Sequence, residues 1–300
     1  MRTSHPLLAI ATVASTATTA SALDFHGYIR DTLAVNGAGG GQVCFQLPGS
    51  EFKARLGNEC DHYWGLSFVR VPGTTRINAK LVETARGDTT DINLLAARPP
   101  PEALAELDRR VLALGASCAW CVLAGSVPAG VPPSVYAGMV ARLRERGCAA
   151  AVDTSGAPLA DAIGAAPDLV KPNRAELGQL VGASLPPLAE LARAACDLRR
   201  RGPRYVVVSL GAEGALLTSD EGAWVARPPH VSVATTVGAG DALVAGLVAT
   251  LLEGGTLADA ARRATAFAPA KVSRVGPRLW PPDAVRALEG RIDVRELRED

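Results

Sequence analysis

Hydrophobic and polar positions follow two rhythms along this chain, and the change comes near residue 99. Between about 66 and 96 apolar and polar residues alternate. Residues 67–71 and 76–82 read as strands, with Pro72-Gly73 as the turn signal between them, and Asp91-Ile92-Asn93 follows a further turn at Arg86-Gly87-Asp88. Alternation of period two leaves one face of such a sheet in water. After Pro99-Pro100-Pro101 stretches with apolar residues at helical spacing (102–114, 132–146, 159–165, 174–181, 188–201) alternate with short apolar runs at 120–124, 149–153, 169–171 and 205–210. Residues 214–219 and 222–226 read as a hairpin. Two long helices, 241–252 and 257–272, precede a Pro-rich connection and a last helix at 282–289. Strand–helix alternation predicts an α/β fold, a three-layer αβα core with a mostly parallel sheet, and the earlier strands form a small antiparallel sheet beside it. No internal repeat or low-complexity linker divides residues 1–300, so a single domain is the economical reading.

Composition removes several classes of function. With 48% hydrophobic residues among 300 the chain is not disordered. Lys+Arg number 31 against 30 Asp+Glu, a net charge of +1, which argues against a nucleic-acid-binding surface spread over the whole protein and against a charged tail. Apolar runs stop short of the ~20 residues of a membrane span. Six cysteines (Cys44, Cys60, Cys118, Cys121, Cys148, Cys196) are too scattered for a disulfide scaffold. Cys118 and Cys121 form a C-x-x-C, but no second pair or His cluster follows at zinc spacing and the segment reads as a buried strand, so these cysteines are structural. Near the amino terminus a mild apolar stretch from Pro6 to Ala22 ends in Ala20-Ser21-Ala22, the A-x-A pattern of a signal-peptidase site. A first strand, or an irregular Ala/Thr/Ser segment, is the alternative there.

The strongest chemical signal is Thr235-Thr236-Val237-Gly238-Ala239-Gly240-Asp241, a glycine turn that runs straight into an apolar helix. Small residues let the backbone approach a ligand, and the N–H groups and dipole of the helix favour an anion such as a transferring phosphoryl group. Asp241 in that setting is suited to take a proton from an attacking hydroxyl; the plainer reading is a helix cap. Lys171-Pro172-Asn173-Arg174-Ala175-Glu176 ends a strand and opens a helix. Asn173 and Glu176 fit a capping box, and equally two oxygen ligands that hold Mg²⁺ through water. Ser209-Leu210-Gly211-Ala212-Glu213-Gly214 leaves a strand through a turn with two glycines, a cradle for nucleotide phosphates.

In this order and spacing the motifs resemble the PfkB (ribokinase-like) family of carbohydrate kinases. Gly238–Asp241 matches its carboxyl-terminal signature and Asn173-x-x-Glu176 its Mg-linked motif. The branch with 1-phosphofructokinase, tagatose-6-phosphate kinase and the minor 6-phosphofructokinase is closer still. Residues 123–131 resemble its "SGSLPPGV" loop, 152–156 its "LDTSG" strand end and 75–80 its "TRINVK" lid strand. The resemblance spans about residues 66–276 and implies ATP-dependent phosphorylation of a phosphosugar hydroxyl in the cytoplasm, where ATP is supplied. Asp241 would be the base, with Gly238, Ala239 and Gly240 as the anion hole. Lys171, Asn173, Ser209, Gly211 and Gly214 would lie along ATP, and Asn173 and Glu176 near Mg²⁺. Arg76 would meet the substrate phosphate, for which a guanidinium is well shaped; a solvated strand charge is the plainer reading. Asp91-Ile92-Asn93 after Thr89-Thr90 favours fructose 1-phosphate, converted to fructose 1,6-bisphosphate. A homodimer formed through the lid is a further expectation.

The first 65 residues depart from the family. Its opening "NPAxD" strand and "GGKGxN" substrate loop are missing, and Gly37-Ala38-Gly39-Gly40-Gly41-Gln42 lacks the Lys and the Asn. Read as a dinucleotide fingerprint the same run lacks its last glycine and a suitably placed acid. It corresponds better to a later strand leading into a "G-x-x-F-x-x-x-L" helix, supplied by residues 49–56. Pro269, in place of the family's "AAGSAA" pattern, is expected to kink its helix. These departures leave three alternatives open: a catalytically impaired nucleotide-binding relative, a tagatose-6-phosphate or 6-phosphofructokinase, or a kinase for a nucleoside or unphosphorylated sugar.

Overall fold

The computed structural model describes residues 98–184, 187–274 and 280–297, and ahead of them five strands: β1 (Leu7–Ile10), β2 (Gln42–Gln46), β3 (Lys53–Gly57), β4 (Asn78–Glu83) and β5 (Asp88–Asn93). From Pro101 onward helix and strand alternate: α1 (Pro101–Gly115), β6 (Trp120–Ala124), α2 (Val135–Glu145), β7 (Ala149–Asp153), α3 (Ala157–Gly164), β8 (Leu169–Val170), α4 (Arg174–Val181), α5 (Leu188–Arg199) and β9 (Tyr205–Ser209). The hairpin β10 (Ala215–Ser219) and β11 (Gly222–Arg227) follows, then α6 (Ala239–Leu252), α7 (Leu257–Val272), α8 (Pro282–Glu289) and β12 (Asp293–Leu297). Local chemistry sets the helix ends. α1 opens on proline, whose missing N–H costs nothing at that position. α4 and α7 each carry a complete capping box, Asn173 with Glu176 and Thr256 with Asp259. α4 ends on Gly182 at φ +70°, the left-handed cap that glycine adopts without strain.

One eight-stranded sheet runs in the order β1-β6-β7-β8-β9-β10-β11-β12. Pairing is parallel from β1 to β9 and antiparallel from β9 to β12. Side chains of the central strands alternate between two cores. Cys121, Leu123, Ala150, Val152, Val206 and Val208 face α1 to α5, whereas Trp120, Ala151, Tyr205 and Val207 face α6, α7 and α8. Burial on both faces makes these strands near-continuous apolar runs. The arrangement is the expected three-layer α/β core.

β1 falls inside the apolar stretch of residues 6–22 and pairs Leu7 with Trp120 through Ile10 with Leu123, as the first-strand reading has it. β4 and β5 form a separate antiparallel pair, Asn78 opposite Asn93 through Glu83 opposite Asp88. The strand expected at 67–71 lies outside the described residues. One expectation is corrected, and one strand is added. Residues 53–57 are not helical: β3 pairs with β2, and the alternation Lys-Ala-Arg-Leu has the period of a strand. Pro269 lies inside α7, which runs through to Val272; the Ser273 N–H donates to the Pro269 carbonyl at 3.2 Å, so the ladder resumes past the missing donor. β12 was not apparent because Asp293, Arg295 and Glu296 make it charged, as sheet-edge strands commonly are.

Candidate active site

In a parallel sheet the loops at the carboxyl ends of the strands share one edge, and here four of them are fastened together. Beyond β6, the Gly125 N–H donates to the Asp153 carbonyl at 2.9 Å. The Gly125 carbonyl accepts from Thr154 Oγ1 at 2.8 Å and from the Tyr136 hydroxyl at 3.1 Å. Gly125 sits at φ +114°, a conformation that makes glycine the natural choice. Beyond β8, the Lys171 N–H donates to the Val152 carbonyl at 3.2 Å, and the N–H of Ser209, the last residue of β9, donates to the Pro172 carbonyl at 3.0 Å. Facing these loops is the first turn of α6, entered through Gly238 at φ +83°. Between them lies a cleft of about 260 Å³ walled by Gly125, Ser126, Asp153, Thr154, Ser155, Glu176, Gly238, Gly240 and Asp241.

Charge is concentrated in this cleft. Lys171 is 7% exposed, and its Nζ lies 3.1 Å from Asp153 Oδ1. A buried ammonium persists only with such a partner. Burial holds the Asp153 carboxyl above the usual carboxylate range; Lys171 opposes the shift, and the nearby charges of Asp241 and Glu176 add to it. Burial together with the Asp153 charge pushes the Tyr136 phenol up to about 12, so it remains a donor. A Cβ on Gly240 would come within 3.3 Å of Lys171 Nζ. The missing side chain therefore leaves room for an ammonium beside the amino-terminal N–H groups of α6, where an anion is stabilised.

Of the residues singled out from sequence, Gly238, Gly240, Asp241 and Glu176 line the cleft, Ala239 completes the turn and Lys171 adjoins it through Asp153. Asn173 and Glu176 form the capping box: Asn173 Oδ1 accepts the Glu176 N–H at 2.9 Å and Glu176 Oε2 accepts the Asn173 N–H at 2.8 Å. Glu176 thus both caps α4 and faces the cleft. Ser209, Gly211 and Gly214 belong to the β9–β10 turn, outside the walls of this cleft. Gly214 answers to the hairpin, since a Cβ there would fall 1.9 Å from the Ala226 carbonyl oxygen. Arg76 lies outside the described residues. Among the described residues no three His, Cys, Asp or Glu side chains are grouped to cage a metal ion. Mg²⁺ keeps several waters and needs only one or two carboxylates beside substrate phosphates, a demand that Glu176 and Asp153 fit. No described helix is long and apolar enough to cross a membrane.

Sequence reasoning gave no role to Asp153 or to Lys271. Asp153 was signalled by its place at the end of a buried strand before Thr154-Ser155-Gly156. Lys271, whose stem lies over Gly238, had no local signal.

Comparison with known proteins agrees with this geometry. The family described as pfkB family carbohydrate kinase matches residues 40–284. The chain is 43% identical over 231 residues to 1-phosphofructokinase of Rhodobacter capsulatus, covering 76% of this chain and 72% of that protein. It is 42% identical over 222 residues to 1-phosphofructokinase of Xanthomonas campestris, covering 72% and 70%. Phosphofructokinase-2 from Escherichia coli, in complex with substrates and products, superposes with a TM-score of 0.69 at 29% identity, over 75% of this chain and 73% of that one.

Proposed function

The chain belongs to the pfkB family of carbohydrate kinases, and on that premise we propose that it transfers the terminal phosphoryl group of ATP to a hydroxyl of fructose 1-phosphate. The observation that carries the reading is the opposition, across one cleft, of Asp241 in the first turn of α6 to the Asp153–Lys171 pair at the ends of β7 and β8. Asp241 takes the proton of the attacking hydroxyl as the new O–P bond forms and the bond to the leaving ADP oxygen breaks. Backbone N–H groups at Gly238, Ala239 and Gly240 hold the phosphoryl oxygens, and Lys171 adds a positive charge at Gly240. Asn173, Ser209, Gly211 and Gly214 follow the nucleotide. Glu176 and Asn173, with Asp153 beside them, would hold Mg²⁺, which when bound would supply positive charge against the phosphates. Arg76 reads the phosphate of the sugar. The β4–β5 pair serves as the lid and as the surface for a second copy of the chain. Supply of ATP sets the reaction in the cytoplasm.

The relatives favour fructose 1-phosphate over the impaired nucleotide-binding alternative. A coupled assay of ADP release tests this: turnover is expected with fructose 1-phosphate, and no turnover with it, fructose 6-phosphate or tagatose 6-phosphate overturns the reading. Loss of a general base costs about 10²–10⁴ in rate, so Asp241→Asn is expected to lower kcat by that factor with ADP affinity within twofold of wild type.

A further inference from the structure

The geometry points to Lys271 as a second cation of the phosphoryl site, whose ammonium holds phosphate oxygens of the nucleotide at the Gly238–Gly240 turn. The inference rests on the kinase reading above. Lys271 stands in the last turn of α7, where a lysine ordinarily serves the carbonyls of its own helix end. Its side chain lies against the neighbouring element. A Cβ built on Gly238 would meet Lys271 Cε at 2.8 Å, Nζ at 3.5 Å and Cγ at 3.6 Å, so the stem is laid along the glycine and the charge is delivered to the entrance of α6.

Two independent constraints fix that placement. The Val272 carbonyl, next to Lys271, accepts the N–H groups of Ala234 and Thr235 at 2.8 and 3.0 Å, which ties the end of α7 to the segment leading into the turn. Farther along, Gly246 of α6 packs directly on α7, where a Cβ would come within 2.7 Å of Ala264 Cα. The end of α7, and with it the backbone of Lys271, cannot drift from the turn without breaking one or the other.

The charge pattern then implies an anion. The amino terminus of α6 carries the positive end of its dipole. Lys171 brings an ammonium to Gly240 on one flank and Lys271 brings another to Gly238, two residues earlier. A phosphate chain seated on this turn meets all three positive features, with charge-assisted hydrogen bonds to the two ammonium groups. Lys171 is neutralised by Asp153 and stands on the cleft side with Asp241, where the hydroxyl to be phosphorylated belongs. Lys271 reaches the turn from α7 and is not among the cleft walls, so its anion is the nucleotide's phosphate chain rather than the phosphate of the sugar.

Lys271→Met keeps the stem and removes the charge, while Lys271→Arg keeps the charge. A hydrogen bond to a charged group corresponds to roughly ten- to a hundredfold in affinity. Lys271→Met is therefore expected to raise KM for ATP and the calorimetric Kd for ADP at least about tenfold. KM for fructose 1-phosphate should stay within about twofold, and Lys271→Arg should remain within about threefold of wild type for both nucleotides. Wild-type nucleotide constants in Lys271→Met overturn the inference. So does an effect confined to the sugar phosphate, or an Arg variant as impaired as the Met variant. If Lys271→Met does not fold, Lys271→Gln is read by the same measurements. A wild-type protein that neither binds ADP nor turns over overturns the kinase reading itself, whereas an active enzyme indifferent to Lys271→Met overturns only the role of this lysine.

Discussion

Single atoms at the first turn of α6 separate what stabilises the fold from what serves the chemistry. Gly240 lies inside the helix with no left-handed backbone to protect, so on propensity alone alanine there would add roughly 1 kcal/mol of stability. The Cβ, however, would stand 3.3 Å from Lys171 Nζ, closer than that contact normally allows, and Lys171 is held from the other side by Asp153 at 3.1 Å. The lysine must shift by a few tenths of an ångström in a site where small misplacements are felt strongly in rate. Gly240→Ala is therefore expected to leave Tm within about 2 °C while kcat falls by about tenfold or more. Calorimetry beside the coupled assay checks it, and an alanine variant with full activity would mean that Lys171 is not set by the width of that turn.

At the scale of elements, the site depends on how α6 lies against α7. Residues 242–248 of α6 are buried without interruption, so the helix has no wet face to guide its rotation. Gly246 supplies the missing definition, because backbone meets backbone there and a Cβ would fall 2.7 Å from Ala264 Cα. Overpacking of this kind costs about 1–3 kcal/mol, more than the propensity that alanine would add. Gly246→Ala should lower Tm and, by moving the end of α7 away from Gly238, raise KM for ATP; a stabilised variant would show that the helices part freely. The same distinction explains what could be read from sequence. The bounds 174–181, 257–272 and 282–289 were legible because capping boxes and prolines act over four residues. Asp241, the glycine turn and Glu176 were legible because each motif is contiguous. Asp153 was visible only as a strand end, and Lys271 not at all, since its importance arises from an approach between α7 and Gly238 made by the fold. The start of α6 at Ala239 rather than Asp241 has a local cause, a left-handed Gly238 serving as the cap.

Across the whole molecule the central sheet joins two cores, and the open question is whether they unfold as one. Cys121 and Cys148 belong to the core under α1 to α5 and are 0% and 1% exposed; Leu247, fully buried, belongs to the core under α6 to α8. Burial pushes the Cys148 thiol up to about 12 and raises Cys121 further, so at pH 8 neither presents thiolate in the folded state. Alkylation of these two cysteines must then pass through an opened form, and its rate reports the population of that form when opening is fast compared with labelling. Leu247→Ala removes a fully buried side chain at a cost of about 2–5 kcal/mol. Strands β6, β7 and β9 bury residues on both faces, so an opening that exposes Cys148 strips the other layer as well. A leucine deletion on the far side of the sheet is accordingly expected to speed labelling of Cys148 by about a hundredfold, at roughly tenfold per 1.4 kcal/mol, followed residue by residue by mass spectrometry. Unchanged labelling in Leu247→Ala would mean that the layer carrying Asp241 opens by itself, and that ligand binding at the α6 turn stabilises only half of the protein.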